Sequence, residues 1–302
     1  RMEPEILPTY FETTFLASML VFSRNNVDRA VIETGLGGRL DSTRLVEADI
    51  CAITTISKDH SEVLGDTLPK IATEKAGIHR SGVPLLCLDH EDDEVKVAIE
   101  GVAGEDVVWI QSEGDDAQEV ARNMASQIGS RIGWKDKETT VVWPGRSLDR
   151  IKWSGAELIL SAAHNSESLS HDLGRIGSER HVLVVGMTQK ADLSESIGPL
   201  VGHSGRIRTI VTEVQGGRNP SVPADHLSEH LTSLSESSPL LITDPIEAID
   251  AASRLASEEG CIVFVTGSVY LVGRAVEEIA SRDGSELWGY LEAHSPRPRS
   301  AL

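Results

Sequence analysis

Residues 27–43 have the sequence VDRAVIETGLGGRLDST, and residues 49–60 have the sequence DICAITTISKDH. Each stretch contains a short apolar run, at Arg29–Thr34 and at Asp49–Ile56. Runs of about six aliphatic or β-branched residues bounded by Gly and Asp are typical of buried strands in a parallel sheet. The two stretches therefore predict neighbouring parallel strands.

Polar groups follow both predicted strands. Glu33 and a glycine loop end the first strand, and Asp59 and His60 end the second. Ligands of open parallel sheets bind beyond the carboxyl ends of the strands. We therefore expect Glu33 and His60 to meet at one edge, where a hard cation would find an oxygen and a nitrogen ligand. A surface carboxylate and a capping histidine are the alternatives.

A third stretch, LGDTLPKIATEKAGI at residues 64–78, predicts a helix that begins near Thr67. Four of its residues are spaced to share one face: Leu68, Ile71, Ala72 and Lys75. A lysine on an apolar face is costly unless it is paired or chemically modified. Lys75 is therefore a candidate functional residue, and a lysine that extends its amine to solvent is the alternative.

Composition limits the class of protein. The chain has 302 residues, 40% of them hydrophobic, with 26 glycines and a formal net charge of −19. Such a chain is long enough for two α/β domains, and its charge argues against a nucleic-acid partner. It contains no apolar run long enough for a transmembrane helix and no signal-peptide pattern. Three cysteines without CxxC spacing indicate free thiols, and together these features predict a cytoplasmic protein without a membrane partner.

The first half continues with further alternating elements. An amphipathic helix precedes the first strand, and later runs predict strands at Val83–Leu88, Val107–Ile110 and Thr139–Trp143, with a helix at Ala117–Ile132. No GxxxxGK[ST] phosphate loop occurs in the sequence. A sheet that begins on a helix predicts that a preceding part is missing. The turn Pro144-Gly145-Arg146 marks the expected domain boundary.

The second half alternates regularly between strand and helix patterns. Strands are predicted at five runs: Leu158–Ser161, His181–Val185, Ile207–Thr212, Leu240–Thr243 and Cys261–Thr266. The clearest helices between and after them are Asp244–Ser257 and Val269–Ala280. Alternation at this spacing predicts right-handed crossovers and a second, Rossmann-like parallel sheet.

Several of these stretches together resemble a known family. TYFE, VIETGLGGRLDST, ITTISKDH, LGDTLPKIATEKAGI and PGR are similar to successive motifs of folylpolyglutamate synthase and dihydrofolate synthase, the folate branch of the Mur-ligase-type amide ligases. Looser similarity continues through AHN at 163–165, VVGMTQKAD at 184–192, Arg218 and TGS at 266–268.

The resemblance implies a fold and a reaction. Residues 1–145 would form the later part of an ATP-binding domain that lacks its phosphate loop, and residues 146–302 a Rossmann-like glutamate-ligase domain. The reaction would use ATP and Mg²⁺ to phosphorylate the carboxylate of a folate or of dihydropteroate, which the amine of L-glutamate then attacks. The resemblance favours a monomer that acts on small molecules.

The resemblance also implies residue roles. Glu33 and His60 would bind magnesium, and Lys75 would be carbamylated to an accessory anion. Arg146 would contact the ATP phosphates, and His164 would serve as a catalytic residue. Four more residues would contact ATP or glutamate: Ser161, Asn165, Asp192 and Ser268. Lys190 and Arg218 are weaker candidates. Turns and helix N-caps use the same residue types, so structural roles are the alternatives.

The chain also departs from the family pattern. Ser161 and Ser166 occupy positions that the family gives to aspartate and proline, and the segment from Leu88 to Pro144 is short. Without a phosphate loop, the chain alone is expected to be almost inert, because one preorganised donor contributes roughly 3–4 kcal/mol. A non-catalytic homologue that binds nucleotide or acts as a scaffold is the alternative. An NAD-dependent oxidoreductase is disfavoured, since no G-x-G-x-x-G follows a strand.

Overall fold

The computed structural model describes residues 7–111, 117–134, 143–146, 148, 150–190, 192–217, 219–234 and 238–294. The chain forms two compact units. The first comprises Arg1–Asp115 and Glu119–Asp136, and the second comprises Asp116–Gln118 and Lys137–Leu302. No described helix is long and apolar enough to cross a membrane.

The first unit is built on a three-stranded parallel sheet in the order β1-β2-β3. Its elements in chain order are α1 (Tyr10–Arg24), a 3₁₀ helix (Ser42–Leu45), β1 (Cys51–Ile53), α2 (Ser61–Leu64), α3 (Leu68–Ala76), β2 (Leu85–Leu88), α4 (Asp93–Ala103), a 3₁₀ helix (Gly104–Asp106), β3 (Val107–Ile110) and α5 (Ala117–Arg131). Ile71 and Ala72 of α3 are fully buried against the sheet, together with Leu85, Cys87 and Val95.

The helix predicted near Thr67 is confirmed, because α3 begins at Leu68 with Thr67 as its N-cap. The strand predicted at Arg29–Thr34 is wrong. The segment has no strand partner among the described residues, and Val31 is 87% exposed. A strand is stable only when a neighbour satisfies its backbone groups and covers its side chains, and composition alone cannot supply that neighbour.

The second unit contains a six-stranded sheet in the order β4-β5-β9-β6-β7-β8, in which only the β4–β5 pair is antiparallel. Its strands are β4 (Arg150–Trp153), β5 (Ala156–Leu160), β6 (His181–Val185), β7 (Arg206–Val211), β8 (Leu240–Leu241) and β9 (Ile262–Thr266). Its helices are α6 (Ser166–Ile176), α7 (Leu193–Ile197), a 3₁₀ helix (Gly198–Leu200), α8 (Ala224–Leu234), α9 (Pro245–Glu259), α10 (Val269–Arg282) and α11 (Leu287–His294).

Helices cover both faces of this sheet. Side chains of α6, α7 and α8 pack on one face with Phe264 of β9. Side chains of α9 and α10 pack on the other face with Val263 and Val265 of the same strand. β5 and β9 are neighbours, and the helices that follow them, α6 and α10, lie on opposite faces of the sheet. Such a switch point opens a crevice at the carboxyl ends of the two strands.

The predicted α/β class with parallel sheets is confirmed in both units. The predicted strand at Thr139–Trp143 falls largely outside the described residues, and the sequence interpretation missed β4. The predicted boundary after residue 145 lies within the second unit, where the Ala162 amide donates to the Gly145 carbonyl at 2.7 Å. The assignment of the units to ATP-binding and glutamate-ligase domains stays a prediction.

Candidate functional site

In the first unit, the glycine loop packs directly on the last turn of α3. A Cβ atom on Gly38 would lie 2.4 Å from the Lys75 carbonyl oxygen, and one on Gly77 would lie 2.4 Å from the Arg39 Cβ. The Arg39 amide donates to the Glu74 carbonyl at 2.9 Å, and its guanidinium bonds the Glu74 carboxylate at 2.9 Å. Backbone can approach this closely only where both positions are glycine. The GLGGRLD and EKAGI stretches thus meet in space.

A carboxylate from the same loop occupies the amides of the glycine turn. Asp41 Oδ2 accepts from the Gly35 amide at 2.8 Å and the Leu36 amide at 3.2 Å. Its Oδ1 accepts from the Thr43 amide at 2.9 Å and the Thr43 hydroxyl at 2.6 Å. Partial burial would raise the pKa of Asp41, but these hydrogen bonds together hold that pKa below its ordinary value. Asp41 therefore satisfies the amides of Gly35 and Leu36 in the glycine turn and also caps the 3₁₀ helix that follows.

A second, half-buried charge anchors the 3₁₀ helix that follows. The Arg80 guanidinium donates to the Thr43 carbonyl at 2.8 Å, the Val46 carbonyl at 2.9 Å and the Ile78 carbonyl at 2.7 Å. These bonds tie residues 43–46 to the segment after α3. The sequence interpretation assigned no role to Arg80, because nothing in the stretch IHRSG at residues 78–82 distinguishes it from a surface arginine.

The structure does not place Glu33 and His60 at strand ends. Glu33 is exposed in a segment without strand structure, and His60 lies beyond the end of β1 in a left-handed conformation with φ 53°. The His60 side chain is 56% exposed, and its Nδ1 lies 3.9 Å from Glu62 Oε1. The argument from strand ends is therefore wrong for Glu33, and the assignment of both residues to magnesium stays a prediction that depends on the resemblance.

Lys75 lies where the helical spacing places it, half-buried in the last turn of α3 beside the buried Ile71 and Ala72. No hydrogen bond or ion pair within the described part of the chain joins Lys75 to Glu33 or His60. Across the described ranges, no group of three or more His, Cys, Asp or Glu side chains is arranged to hold a metal ion. The magnesium-binding role of Glu33 and His60 and the role of Lys75 stay predictions.

In the second unit, two predicted motifs converge at the crevice between β5 and β9. The Gly267 amide donates to the Ala163 carbonyl at 3.0 Å, which joins TGS to AHN. Gly145 is buried against Ala162, and the exposed Arg146 follows it in the same turn. Arg146, His164 and Ser268 thus belong to segments that meet at this crevice.

Hydrogen bonds orient His164 and Asn165 at the start of α6. His164 Nδ1 lies 3.0 Å from the Ala162 carbonyl oxygen. A carbonyl only accepts, so Nδ1 carries the proton, and in neutral His164 the Nε2 atom carries the lone pair. The Asn165 side chain accepts from the Ser168 amide at 2.9 Å and from the Ser168 hydroxyl at 2.7 Å. Asn165 is therefore the N-cap of α6, the alternative that the sequence left open.

Two other candidates also cap helices. Ser268 is 3% exposed and accepts from the Tyr270 amide at 3.2 Å at the start of α10. Asp192 is exposed and accepts from the Glu195 amide at 2.8 Å at the start of α7. Their contacts with a nucleotide stay predictions. Lys190 is half-buried, and Arg218 lies outside the described residues.

Ser161 has no exposed surface. Its hydroxyl lies 2.6 Å from the Asp172 carboxylate on α6 and 3.0 Å from the Thr266 hydroxyl. A ligand could not reach this hydroxyl without rearrangement, so Ser161 supports the crevice from beneath in this structure. The sequence interpretation missed Asp172, although its spacing from the buried Leu169 and Ile176 gives the same signal that singled out Lys75.

Glycines bring β6 and β9 close together beneath the crevice. Gly267 has φ +104°, and a Cβ atom there would lie 2.6 Å from the Gly186 carbonyl oxygen. The glycines of the VVGMTQKAD and TGS stretches are thus required by close backbone packing. A cavity of about 660 Å³ lies elsewhere, between β8 and α9, and none of the predicted site residues lines it.

Comparison with known proteins identifies relatives of one kind, although no family model matches the chain. It is 27% identical to the dihydrofolate synthase/folylpolyglutamate synthase of Escherichia coli over an alignment of 320 positions, gaps included, which covers 92% of this chain and 71% of that protein. It is 44% identical to the folylpolyglutamate synthase of Arabidopsis thaliana over 92 residues, which cover 30% of this chain but only 16% of that protein.

The fold agrees with this relationship. The structure of E. coli FolC in complex with ADP superposes with a TM-score of 0.76 at 24% identity, covering 93% of this chain and 74% of that one. The resemblance predicted from the sequence is therefore confirmed, and the fold of the chain matches that of the E. coli structure.

Proposed function

We propose that this chain, which is related over most of its length to the folylpolyglutamate and dihydrofolate synthases, takes part in joining L-glutamate to the carboxylate of a folate or of dihydropteroate, with ATP as the energy source. The observation that carries the proposal is the convergence of the AHN and TGS segments at the carboxyl ends of β5 and β9, linked by the 3.0 Å bond from Gly267 to Ala163.

The proposed reaction has two balanced steps. An oxygen of the acceptor carboxylate attacks the γ-phosphorus of ATP, and ADP leaves as an acyl phosphate forms. The amine of glutamate then attacks the acyl carbon, inorganic phosphate leaves, and the nitrogen loses one proton as the amide forms. Such chemistry depends mainly on positioning and on stabilising charge on the phosphate oxygens.

The residues of the crevice suit the positioning of anions. The N-termini of α6 and α10 lie at the ends of adjacent strands, and helix N-termini attract negative charge. In the proposal, Arg146 supplies a cation for phosphate oxygens from its exposed position. Asn165 and Ser268 fix the two helix starts. The bond from Nδ1 to the Ala162 carbonyl fixes the His164 ring, and in the proposal this ring contacts the bound ligand.

Magnesium accompanies ATP in this proposal, with Glu33 and His60 as candidate ligands from the resemblance. The described residues do not assemble a complete ligand set, so no step is assigned to the ion. Lys75 would supply an accessory anion once its amine carries a carboxyl group. We also propose a monomeric, cytoplasmic protein, and the three free cysteines support that compartment.

The test is ADP release in the presence of acceptor and glutamate. Because the chain spans 71% of the E. coli relative, the assay uses residues 1–302 and also any longer product of the same gene. ADP release over many turnovers by the active form should require ATP, glutamate and a folate or dihydropteroate together, because the acyl phosphate must react with glutamate before the next turnover. Repeated ADP release at the same rate with and without glutamate would contradict the proposal. ADP binding without turnover in every form tested would also contradict it, and that result would favour the non-catalytic homologue.

Two histidines of the second unit give a matched pair for this assay. His164→Ala should lower the rate by about a hundredfold, the lower range for a positioned acid or base. His226, exposed on α8, is the control, and His226→Ala should leave the rate unchanged. Equal rates for the two variants would remove His164 from the proposed site.

Lys75 can be tested separately by intact mass measured with and without bicarbonate. Carbamylation adds one CO₂ to the amine, and the added mass should disappear in Lys75→Ala. Lys70 on the same helix is the control, because its amine is exposed and paired with Asp66 at 2.7 Å. An adduct that persists in Lys75→Ala or disappears in Lys70→Ala would contradict the assignment.

A further inference from the structure

A buried polar network lies beneath the crevice. Ser161 and Thr266 have no exposed surface, and Ala163 is 2% exposed. The Ala163 amide donates to the Ser161 hydroxyl at 3.2 Å, and the Thr266 hydroxyl lies 3.0 Å from it. One carboxylate, that of Asp172 on α6, completes the network at 2.6 Å from the Ser161 oxygen.

The carboxylate sets the direction of these hydrogen bonds. An ionised carboxylate only accepts, so the Ser161 hydroxyl must donate its single proton to Asp172. The Ser161 oxygen then accepts from the Ala163 amide at 3.2 Å. The single proton of the Thr266 hydroxyl goes either to this oxygen at 3.0 Å or to the Ala163 carbonyl at 3.4 Å. The bonds of Ser161 to Asp172 and to Ala163 therefore each have one assigned donor, and the bond to the charged acceptor is the short one.

The network reaches the ligand-binding segments directly. Ala163 precedes His164 and Asn165 in the chain, and its carbonyl accepts from the Gly267 amide at 3.0 Å. Ser161 thus fixes the amide side of Ala163, while Gly267 fixes the carbonyl side. A change in the Ser161 hydroxyl would move the peptide units that carry His164 and Ser268.

We propose that Asp172 is a positioning residue of the crevice, which acts through Ser161 to hold residues 161–165 in the conformation that binds nucleotide. The inference rests on the proposed function, since it requires that the crevice binds ADP or ATP. Asp172 belongs to no motif of the resemblance, and it supplies a carboxylate to a strand end where this chain carries a neutral serine. Its other oxygen lies 3.1 Å from Nδ1 of the exposed His171.

Two measurements test the proposal. The first is hydrogen exchange of the Ala163 amide, which requires no ligand. The second is the affinity for ADP, measured by calorimetry on residues 1–302 and on any longer gene product. Asp172→Ala should accelerate exchange at Ala163 and raise the Kd for ADP by about tenfold, equivalent to about 1.4 kcal/mol. Asp172→Asn keeps an accepting oxygen without the charge and should raise the Kd less.

A double-mutant cycle separates positioning from general loss of stability. If Asp172 acts through Ser161, adding Ser161→Ala to Asp172→Ala should raise the Kd no further. His171→Ala is the matched control, because it removes the other neighbour of the carboxylate and should change neither exchange nor affinity.

The results distinguish this inference from the proposed function. If the wild-type protein binds ADP and the Asp172 variants bind it equally well, only the positioning role is overturned. Unchanged exchange at Ala163 would overturn it as well. If no wild-type form binds ADP, the proposed function fails and the inference fails with it.

Discussion

The contact between the glycine loop and α3 predicts opposite effects for two glycine-to-alanine substitutions in the first unit. Gly77 has helical backbone angles, φ −59° and ψ −8°, in which alanine is normally preferred. An added Cβ atom would nevertheless lie 2.4 Å from the Arg39 Cβ and 2.6 Å from its Cα. Arg39 cannot withdraw freely, because its amide and guanidinium are both bonded to Glu74.

The magnitude follows from two opposing terms. Alanine is favoured over glycine by about 0.5–1 kcal/mol in a helix interior, and by less at the C-cap position of Gly77. Overpacking a close contact costs about 1–3 kcal/mol. Gly77→Ala should therefore destabilise the first unit by about 1–2 kcal/mol. Gly101 lies exposed within α4, and an added Cβ atom there would meet nothing within 4 Å. Gly101→Ala should stabilise the unit by about 0.5–1 kcal/mol.

Urea unfolding of the two variants beside the wild-type chain measures both effects. Both glycines belong to the first unit, so the same transition reports on them. The midpoint should fall for Gly77→Ala and rise for Gly101→Ala. Equal stabilisation by both substitutions would refute the packing of the loop on α3, and with it the account of why the two motifs meet.

Two further predictions concern ionisable groups. Asp41→Ala removes the acceptor of four hydrogen bonds from Gly35, Leu36 and Thr43. The free energy of unfolding, measured by urea titration, should fall by about 1–3 kcal/mol. A loss below about 0.5 kcal/mol would show that the loop does not need the carboxylate. Burial lowers the pKa of His181, so the folded state disfavours its charged form. The free energy of unfolding should therefore be highest above pH 6.5, the ordinary pKa of histidine, and should decrease as the pH drops toward the pKa of the folded state. Unfolding measured across this range should show a weaker pH dependence in His181→Gln, and an unchanged dependence would contradict the assignment.

The elements that could be predicted from sequence are those whose signal is local. The apolar runs at Val107–Ile110 and His181–Val185 form strands with the predicted limits, and the spacing around Ile71 identified α3. The segment Arg29–Thr34 has a similar composition but forms no strand, because a strand depends on a partner. The missed β4 did have a local signal, since Ile151 and Trp153 alternate with charged residues before a Ser-Gly turn.

The candidate site was less predictable for a related reason. Residue type at a strand end does not reveal whether a side chain faces a ligand or caps the next helix, and Asn165, Asp192 and Ser268 all act as caps. A polar residue on a buried helix face was the better signal. Applied to α6, it would have found Asp172, whose contact with Ser161 depends on tertiary packing.

The most direct test of the ligase proposal follows the oxygen atoms of the acceptor. Folate or dihydropteroate labelled with a heavy oxygen isotope in the reacting carboxylate is incubated with ATP and glutamate, and the inorganic phosphate is analysed by mass spectrometry. If the reaction proceeds through an acyl phosphate, one labelled oxygen should appear in each phosphate released. Phosphate that carries only unlabelled oxygen while the amide forms would contradict the account.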